Sequence, residues 1–497
     1  MKQKIRYFKP LLLASVLGLS FAQPVFAQNS EWEKANSYLK QENYDAALPL
    51  VKAQAEKGNV DAQIELGLIY EYGKGVKQNY AEAAKWYEKA AAQGSDWGQH
   101  NLGLMYELAR GGYPKDYAKA LELYKKSAAQ NNDWAQRRIG LFFKNGKGVK
   151  QDYAEAVKWF RKAAEQDFAD AQVELGIMYE DGLGVKQDNA EAVKWYRKAA
   201  KQGSDWGQRN LGLMYRDGKG VKQDYAEAVK WFRKAAEQGY SKAQVNLGLA
   251  YKYGKGIKQD YTEAVKWFRK AAEQGYSKAQ VNLGLAYKYG KGIKQDYTEA
   301  VKWFRKAAEQ GSDWGQLSLG FMYEDGKGVK QSYSEAAKWF TKAADQGDGY
   351  AAWRLADLYR DGRGIKKDMH KASQYYQKAI DVYQKDYENG DKGAYKDLVK
   401  LYLARGSDSD KEIALNLIID HMDPDKEYLA HIDNFDEFFF GMVCDPSKRA
   451  LRQKMFAKWL SIMPEKEKQK MLKDEEYKKF RDNPDVFDRK FLKEICK

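Results

Sequence analysis

The sequence predicts an all-α solenoid built from helix-turn-helix repeats. The pattern Leu-Gly-x-x-Tyr recurs along the 497-residue chain at a spacing of 36 residues. Inside each repeat the apolar residues fall three and four apart, which is the spacing of one helix face, and no segment alternates as a strand does. A fixed period of this length is typical of stacked supersecondary units that bury one continuous core.

The glycine of this pattern is called the signature glycine. Positions within a repeat are counted from it, so that Asp61, six residues before Gly67, stands at position −6. The spacing is 37 only between the second and third copies, and residues 240–275 and 276–311 are identical, which indicates a recent duplication. The glycine is Gly67, Gly103, Gly176, Gly212, Gly248, Gly284 or Gly320 in the intact copies, and relaxed copies centre on Gly140 and Ala356.

The first element in chain order is an N-terminal segment, residues 1–27. Four basic residues precede an apolar run from Leu11 to Ala22, and Val25 and Ala27 offer small side chains to a signal peptidase. This layout predicts a cleavable secretory signal, because the apolar run is short for a bilayer span. We expect an exported protein, periplasmic or extracellular, without a transmembrane segment in the mature chain. Cleavage would lower the formal charge from +15 by four, to +11.

A shortened helix pair over residues 28–59 is predicted to cap the array, with helices at Trp32–Leu39 and Tyr44–Lys57. The regular array covers residues 60–366. Degenerate terminal repeats over residues 367–423 follow, with helices predicted at Ala372–Tyr387, Tyr395–Leu403 and Lys411–His421.

Residues 424–497 no longer repeat and predict a small C-terminal helical domain. Its candidate helices are Asp433–Phe440, Lys448–Met463 and Glu465–Phe480. The only two cysteines of the chain, Cys444 and Cys496, lie here. Export to an oxidising compartment favours a disulfide between them, and two buried thiols are the alternative.

Within one repeat, residues 240–275 illustrate the two helices. The first is predicted from Ala243 to Tyr251, and Gly254 ends it in the left-handed conformation. The second runs from Tyr261 to Gln274 after Asp260 as its N-cap. Small residues on both helices let their axes approach, and we expect Tyr251 and Trp267 to fill the remaining gaps. The inward stripe of the second helix consists of Ala264, Trp267, Phe268, Ala271 and Ala272.

These residues resemble the Sel-one-like repeat (SLR) family of bacterial and eukaryotic proteins, which is related to the tetratricopeptide repeats, and within it the secreted bacterial type. The family pattern, Ala-x-x-x-Leu-Gly-x-x-Tyr-x-x-Gly-x-Gly-Val followed by Asp-x-x-x-Ala-x-x-Trp-x-x-Lys-Ala-Ala, is met at Ala171–Ala200 and Ala243–Ala272. The resemblance implies a right-handed superhelix whose first helices line a concave face. It also implies a protein-binding scaffold.

The composition argues against several chemical functions. Two Cys and four His never cluster at metal-ligand spacing, so neither a metal site nor a cofactor is expected. The Gly-Lys-Gly turns lack the spacing of a phosphate loop. A Ser-x-x-Lys tetrad, Ser37 to Lys40, leaves a β-lactamase-like or cell-wall-active enzyme as the alternative, but its companion motifs are missing. We therefore predict no catalysis.

The basic character of the chain, with a pI of about 9.2, also raises nucleic acid as a partner. However, many lysines have a carboxylate three residues away, as Lys266 has Glu263, which is typical of a solvated helix face. Export also separates the chain from nucleic acid, so no specific nucleic-acid binding is expected. A protein or peptide, acidic in character, is the predicted partner, and an exported factor that binds a host protein is a further alternative.

Positions that vary while the repeat frame stays fixed are candidates for recognition. Position −6 holds Trp in four repeats but Asp or Lys in four others, so the frame does not require an aromatic residue there. Either the tryptophans face a binding groove, or each packs sideways on the second helix of the preceding repeat. By contrast, seven tryptophans at one fixed slot of the second helix are expected in the core. The predicted partner-binding groove consists of Trp97, Trp134, Arg137, Arg138, Lys144, Trp206, Arg209, Arg216, Trp314 and Tyr350.

Overall fold

The computed structural model describes residues 24–391 and 393–421, together with the helical positions 450, 454, 457 and 458. Throughout these residues the regular secondary structure is α-helical, and they contain no strand. The predicted signal sequence up to residue 23 lies outside the described residues. The same holds for the predicted C-terminal helices, apart from those four positions, and for the proposed pair Cys444 and Cys496.

The helices belong to two compact units, residues 1–238 and 239–497. In the first unit they are α1 Pro24–Lys40, α2 Tyr44–Glu56, α3 Val60–Tyr72, α4 Tyr80–Ala92, α5 Asp96–Leu108, α6 Tyr117–Ala128, α7 Asp133–Asn145, α8 Tyr153–Glu165, α9 Ala169–Asp181, α10 Asn189–Lys201, α11 Asp205–Asp217 and α12 Tyr225–Glu237. In the second they are α13 Ser241–Tyr253, α14 Tyr261–Glu273, α15 Ser277–Tyr289, α16 Tyr297–Glu309, α17 Asp313–Asp325, α18 Tyr333–Asp345, α19 Gly349–Asp361, α20 Met369–Glu388, α21 Ala394–Arg405 and α22 Asp408–Asp420.

Both units are therefore solenoids of helical hairpins, as the sequence predicts. The odd-numbered helices from α3 to α19 are the first helices of the repeats, and each packs against the even-numbered helix that follows it. Helices α1, α20 and α22 begin a few residues earlier than predicted. No helix of the described residues combines the length and apolar character needed to cross a bilayer.

Local capping explains where each helix begins and ends. The Asp260 carboxylate accepts hydrogen bonds from the backbone amides of Thr262 and Glu263, which begins α14 as predicted. Gly254 ends α13 with φ of 65°. That left-handed conformation is costly for a residue with a side chain, so the turn requires glycine.

The signature glycine permits close contact between the two helices of one repeat. A Cβ atom added at Gly248 would lie 2.6 Å from Cε1 of Phe268, which is fully buried on α14. Phe268 therefore fills the space over the glycine, and Tyr251 and Trp267, expected to fill the remaining gaps, are buried as well. The other signature glycines face a Tyr or Phe ring in the same way.

Seven tryptophans occupy equivalent positions on the second helices, and a lysine side chain lies over the indole ring of each. In each case the ammonium of the lysine three residues later lies 4.0 to 4.4 Å from the ring centroid, a cation–π contact. Trp86, Trp195, Trp267 and Trp303 are buried, and Trp159, Trp231 and Trp339 are half-buried. The indoles therefore lie at the edge of the core, and the aliphatic parts of the lysine side chains separate them from water.

A ladder of glutamines, which the sequence alone did not reveal, links several adjacent repeats within each unit. Gln280, buried at position −4, donates to the carbonyl oxygen of Ala272 on the preceding second helix. Its own side-chain oxygen accepts from Gln310, which ends the second helix of the same repeat. Eight such glutamine pairs occur in the described residues, with N···O distances of 2.7 to 3.1 Å. Because both polar ends of the buried amide are satisfied, the ladder fixes the register of adjacent repeats.

Candidate protein-binding surface

The aromatic residues at position −6 differ in how far they are exposed. Trp134 is 37% exposed, Tyr350 43% and Trp314 61%, whereas Trp97 and Trp206 are half-buried. Trp314, left mostly in water at a position that also accepts Asp or Lys, therefore contributes little to the core.

In the first unit, position −6 residues of adjacent repeats lie side by side. The ring centroids of Trp97 and Trp134 are 6.3 Å apart, and Trp134 lies 4.9 Å from Phe168 of the next repeat. These two tryptophans therefore contact neighbouring first helices and form a short aromatic row across three repeats.

Below this row lies a buried histidine that the groove prediction did not include. The His100 ring is 5.8 Å from Trp97 and 5.5 Å from Tyr124. Burial, with a smaller contribution from the guanidinium of Arg138, lowers the pKa of His100 from 6.5 to about 3. His100 is therefore neutral at physiological pH and packs as an aromatic side chain.

Trp206 is half-buried against a mixed apolar cluster. It packs against an apolar cluster that includes Ala199 and Ala200 of α10, the second helix of the preceding repeat. The position −6 tryptophans thus have different environments, since Trp206 shares in the core while Trp134 and Trp314 expose much of their surface.

Three of the predicted groove cations are paired inside the first unit. Lys144 lies 3.0 Å from the carboxylate of Glu174, and Arg137 lies 3.6 Å from the same carboxylate. Arg138 lies 3.6 Å from Glu107. Both glutamates are buried. These cations therefore neutralise buried acids, and this part of the surface is less basic than the count of lysines and arginines indicated.

The two remaining groove cations also have partners. The Arg216 guanidinium donates two hydrogen bonds to Asp217, at 2.7 and 2.8 Å. This pairing raises the pKa of Arg216 and lowers the pKa of Asp217. Arg209 donates to the side-chain oxygen of Asn210.

The buried glutamates were missed, although a charge pattern across adjacent repeats marks them. Position +4 of one repeat faces position −2 of the next, and in three described pairs these positions carry opposite charges. They are Glu107 with Arg138, Lys144 with Glu174, and Glu324 with Arg354. Comparing residues 30 or 31 apart, rather than equivalent residues 36 apart, would have found them.

A second pattern links position +4 to the ring over the signature glycine. Where the ring is a tyrosine, its hydroxyl donates to a glutamate at +4, as Tyr87 does to Glu71 at 2.8 Å. Burial raises the pKa of Glu71, against the opposing effects of this hydrogen bond and of Arg110. Tyr124 with Glu107 and Tyr196 with Glu180 repeat the arrangement.

Tyr350, the last predicted groove residue, borders an open pocket of about 600 Å³ in the second unit. Its ring centroid lies 5.6 Å from that of Phe321, and Arg354 in the pocket wall pairs with Glu324 at 2.6 Å. The lining has both signs of charge and residues from three consecutive helices, α17 to α19 and the turns between them. It offers an aromatic wall beside a neutralised ion pair.

Among the described residues, the remaining candidate catalytic and metal-binding side chains do not come together in one site. Ser37 and Lys40 are exposed on α1, and the Ser37 hydroxyl accepts a hydrogen bond from Gln41. In the described residues, no three His, Cys, Asp or Glu side chains are grouped so that they could hold a metal ion.

Comparison with solved structures gives a relative that spans most of the chain. The crystal structure of c5321, described as a protective antigen of uropathogenic Escherichia coli strains with an SLR fold, is 30% identical and has a TM-score of 0.60. The match covers 91% of this chain and 97% of that one.

Curated relatives match over shorter segments. The putative sel1-like repeat-containing protein R815 of Acanthamoeba polyphaga mimivirus is 41% identical over 12% of this chain. Human protein sel-1 homolog 2 is 35% identical over 20% of this chain. The matched segments span only 11% and 13% of these two relatives.

The Sel1 repeat matches nine times in succession, and together the matches cover more than half of the chain. They fall at residues 60–95, 98–132, 135–168, 169–204, 207–240, 241–276, 277–312, 315–348 and 349–381. Sel1 repeats form a fold that generally serves protein–protein interaction. With nine copies in register with its helical hairpins, this chain belongs to the Sel1 repeat family.

Proposed function

We propose that this chain is an exported, non-catalytic scaffold that binds a protein or peptide on the exposed faces of its first helices. The observation that carries the proposal is the exposure of Trp134 and Trp314 at a position where the repeat frame accepts Asp or Lys. Tryptophan is among the side chains most enriched in the energetic centres of interfaces. A partner that covers the exposed faces of these indoles, above all that of Trp314, explains their presence there.

Export is supported by the N-terminal segment and by the structural relative. Residues 1–27 have the charge, apolar run and small residues of a secretory signal. The c5321 protein, which resembles this chain over nearly its whole length, is described as a protective antigen. Intact-mass measurement on periplasmic and extracellular fractions tests this part. We expect the exported protein to lack residues 1–27, and full-length protein confined to the cytoplasm would contradict export.

The non-catalytic assignment is supported by the surroundings of Ser37. An activated serine nucleophile needs a base within hydrogen-bond reach and a site that excludes water. Ser37 instead lies exposed beside Gln41. Hydrolysis of a chromogenic β-lactam that Ser37→Ala abolishes would contradict the assignment.

The binding test compares exposed aromatic residues at and away from the proposed surface. The partner is captured with the wild-type protein from an envelope extract, identified by mass spectrometry and purified. Its Kd is then measured for wild type and for Trp134→Ala with Trp314→Ala. We expect binding about tenfold weaker, or about 1.4 kcal/mol, with an unchanged melting temperature. Met369→Ala, which truncates an exposed side chain at the start of α20, is the control. Equal affinity for the double variant and the control would contradict the proposal.

A further inference from the structure

The two identical repeats of the second unit carry more basic than acidic residues. Residues 240–311 contain fourteen Lys and Arg but six Asp and Glu. Their net charge of +8 is more than half of the +15 of the whole chain. Helices α13 and α15 contain no acidic residue at all, whereas every other first helix from α3 to α19 contains at least one.

The exposed side chains of α13 form one stripe along the helix. Lys242, Leu249 and Tyr253 stand at positions −6, +1 and +5, spacings that return to the same face of a helix. Lys242 is exposed, Leu249 is half-buried and Tyr253 is 59% exposed. Helix α15 repeats the stripe with Lys278, Leu285 and Tyr289, the last 58% exposed.

At position +4, the lysines of these helices lack the carboxylate that the first unit provides. Lys144 faces Glu174 at position −2 of the next repeat. The corresponding residue is Asn282 for Lys252 and Ser318 for Lys288. Within the described residues, neither lysine forms an ion pair.

Each of these lysines instead lies over the neighbouring tyrosine ring. The ammonium of Lys252 is 5.1 Å from the ring centroid of Tyr253, and that of Lys288 is 5.3 Å from Tyr289. A cation over an aromatic ring can still accept a carboxylate on its open side, because both attractions act on the same positive charge. Each lysine–tyrosine pair therefore offers a ligand two adjacent contacts: the ammonium can bind a carboxylate, and the ring can pack against a neighbouring apolar side chain.

We propose that these two stripes form a docking site for an extended, acidic polypeptide segment in which carboxylates alternate with apolar side chains. The proposal rests on the proposed function and names the chemistry of the partner. Four lysines, two on each helix, would pair with carboxylates, and the leucine and tyrosine of each stripe would receive the apolar side chains. Because the two repeats are identical, a segment that repeats the same short acidic motif would meet the same contacts twice.

A polypeptide fits this site better than an acidic polysaccharide. Sugars bind aromatic side chains by lying flat on the ring, and here an ammonium already occupies one face of each tyrosine. The leucines add aliphatic contact area, which suits apolar side chains.

The test uses the full chain and a fluorescein-labelled peptide that repeats Glu-Asp-Leu-Ser four times, with binding measured by fluorescence anisotropy. The test variant replaces Lys242, Lys252, Lys278 and Lys288 by Gln. The control variant replaces Lys266, Lys270, Lys302 and Lys306 by Gln, which removes the same number of charges from the second helices of the same repeats. We expect about tenfold weaker binding in the test variant and little change in the control. Circular dichroism verifies that both variants are folded.

Two further arms separate the remaining outcomes. Tyr253→Ser with Tyr289→Ser keeps all the charges and should weaken binding severalfold, while the same peptide with Gln and Asn for its acids should not bind. Equal weakening in the lysine test and control variants would overturn the proposal, because it would show attraction by net charge alone. Polygalacturonate that binds more tightly than the peptide would also overturn it, in favour of a polysaccharide site. Absence of peptide binding to the wild-type protein would likewise overturn the proposal.

The partner captured with the wild-type protein separates this site from the proposed function. If its binding depends on Trp134 and Trp314 but not on the four lysines, the scaffold function stands and the docking site is wrong. Loss of binding in the lysine variant, but not in its control, supports both.

Discussion

The first helices of the two units share one frame but differ in how their charges are satisfied. In the first unit, Lys144 and Arg138 pair with the buried carboxylates of Glu174 and Glu107. In the duplicated repeats of the second unit, the positions equivalent to Glu174 hold Asn282 and Ser318, and Lys252 and Lys288 form no ion pair among the described residues. The same positions of the same repeat therefore stabilise the fold in one region and are available to a partner in the other.

The frame itself does not depend on these charges. A Cβ atom at Gly140 or at Gly284 would lie 2.6 Å from the phenylalanine ring behind it. Glutamine pairs of the same kind also occur within each unit. Packing and buried amide contacts hold the repeats together, so surface positions can change sign without altering the fold.

The largest expected effect tests whether the frame is common to both regions. Gly140→Val and Gly284→Val should each destabilise the protein by about 3 kcal/mol, because the added side chain collides with the buried ring of Phe160 or Phe304. Urea unfolding followed by circular dichroism measures the loss. Phe304→Leu should restore part of the stability of Gly284→Val. If only one of the two valine variants were destabilised, the two regions would not share the same packing frame.

The next effect concerns the buried acids of the first unit. Glu174→Gln removes the carboxylate that pairs with Lys144 and Arg137 and leaves two cations close together, so we expect a loss of about 2 kcal/mol. Asp181→Asn, at an exposed position of the same helix, is the matched control and should change stability little. Equal unfolding midpoints for the two variants would show that the buried pair does not stabilise the fold.

One pH effect should arise from His100. Its pKa is lowered to about 3 in the folded state from 6.5, mainly by burial, so the unfolded chain binds a proton first as the pH falls. Stability is therefore lost as the pH falls through 6.5 towards 3, by about 2 kcal/mol at pH 5. His100→Val, which copies Val281 at the same position, should remove this loss. The pH dependence of the melting temperature, compared between wild type and variant, measures it, and parallel curves would contradict the burial of His100.

The smallest expected effect supplies the missing acid to the second unit. Asn282→Glu places a carboxylate opposite Lys252, where Glu174 stands opposite Lys144, and should stabilise the protein by less than about 1 kcal/mol. Asn282→Gln is the control for side-chain length. Destabilisation by the glutamate alone would show that Lys252 is not the facing group.

The fold of the described repeats could be predicted from the sequence, because the period and the two-helix pattern are repeated nine times. Caps such as Asp260 and turns such as Gly254 follow directly from residue type and local backbone conformation. The ring over the signature glycine could not be identified, because apolar periodicity places Trp267 and Phe268 on one buried stripe without distinguishing which ring faces the glycine.

The candidate surface could be predicted only in part. Comparison of equivalent positions found the exposed Trp134 and Trp314, because variation within one chain marks positions that the frame leaves open. It did not separate them from Trp206, whose burial depends on the neighbouring helix. The pairing of Arg138 and Lys144 was also missed, because their partners lie in adjacent repeats and a count of basic residues does not include them.

The most direct test of the difference between the two regions is the affinity of the labelled acidic peptide for Asn282→Glu with Ser318→Glu. These substitutions supply the absent carboxylates opposite Lys252 and Lys288 and leave every lysine in place. We expect binding about tenfold weaker than in the wild type, because the lysines would then be paired within the chain, as Lys144 is in the first unit. Unchanged affinity in a folded double variant would contradict the account, since it would show that the lysines of the duplicated repeats are not what the acidic partner binds.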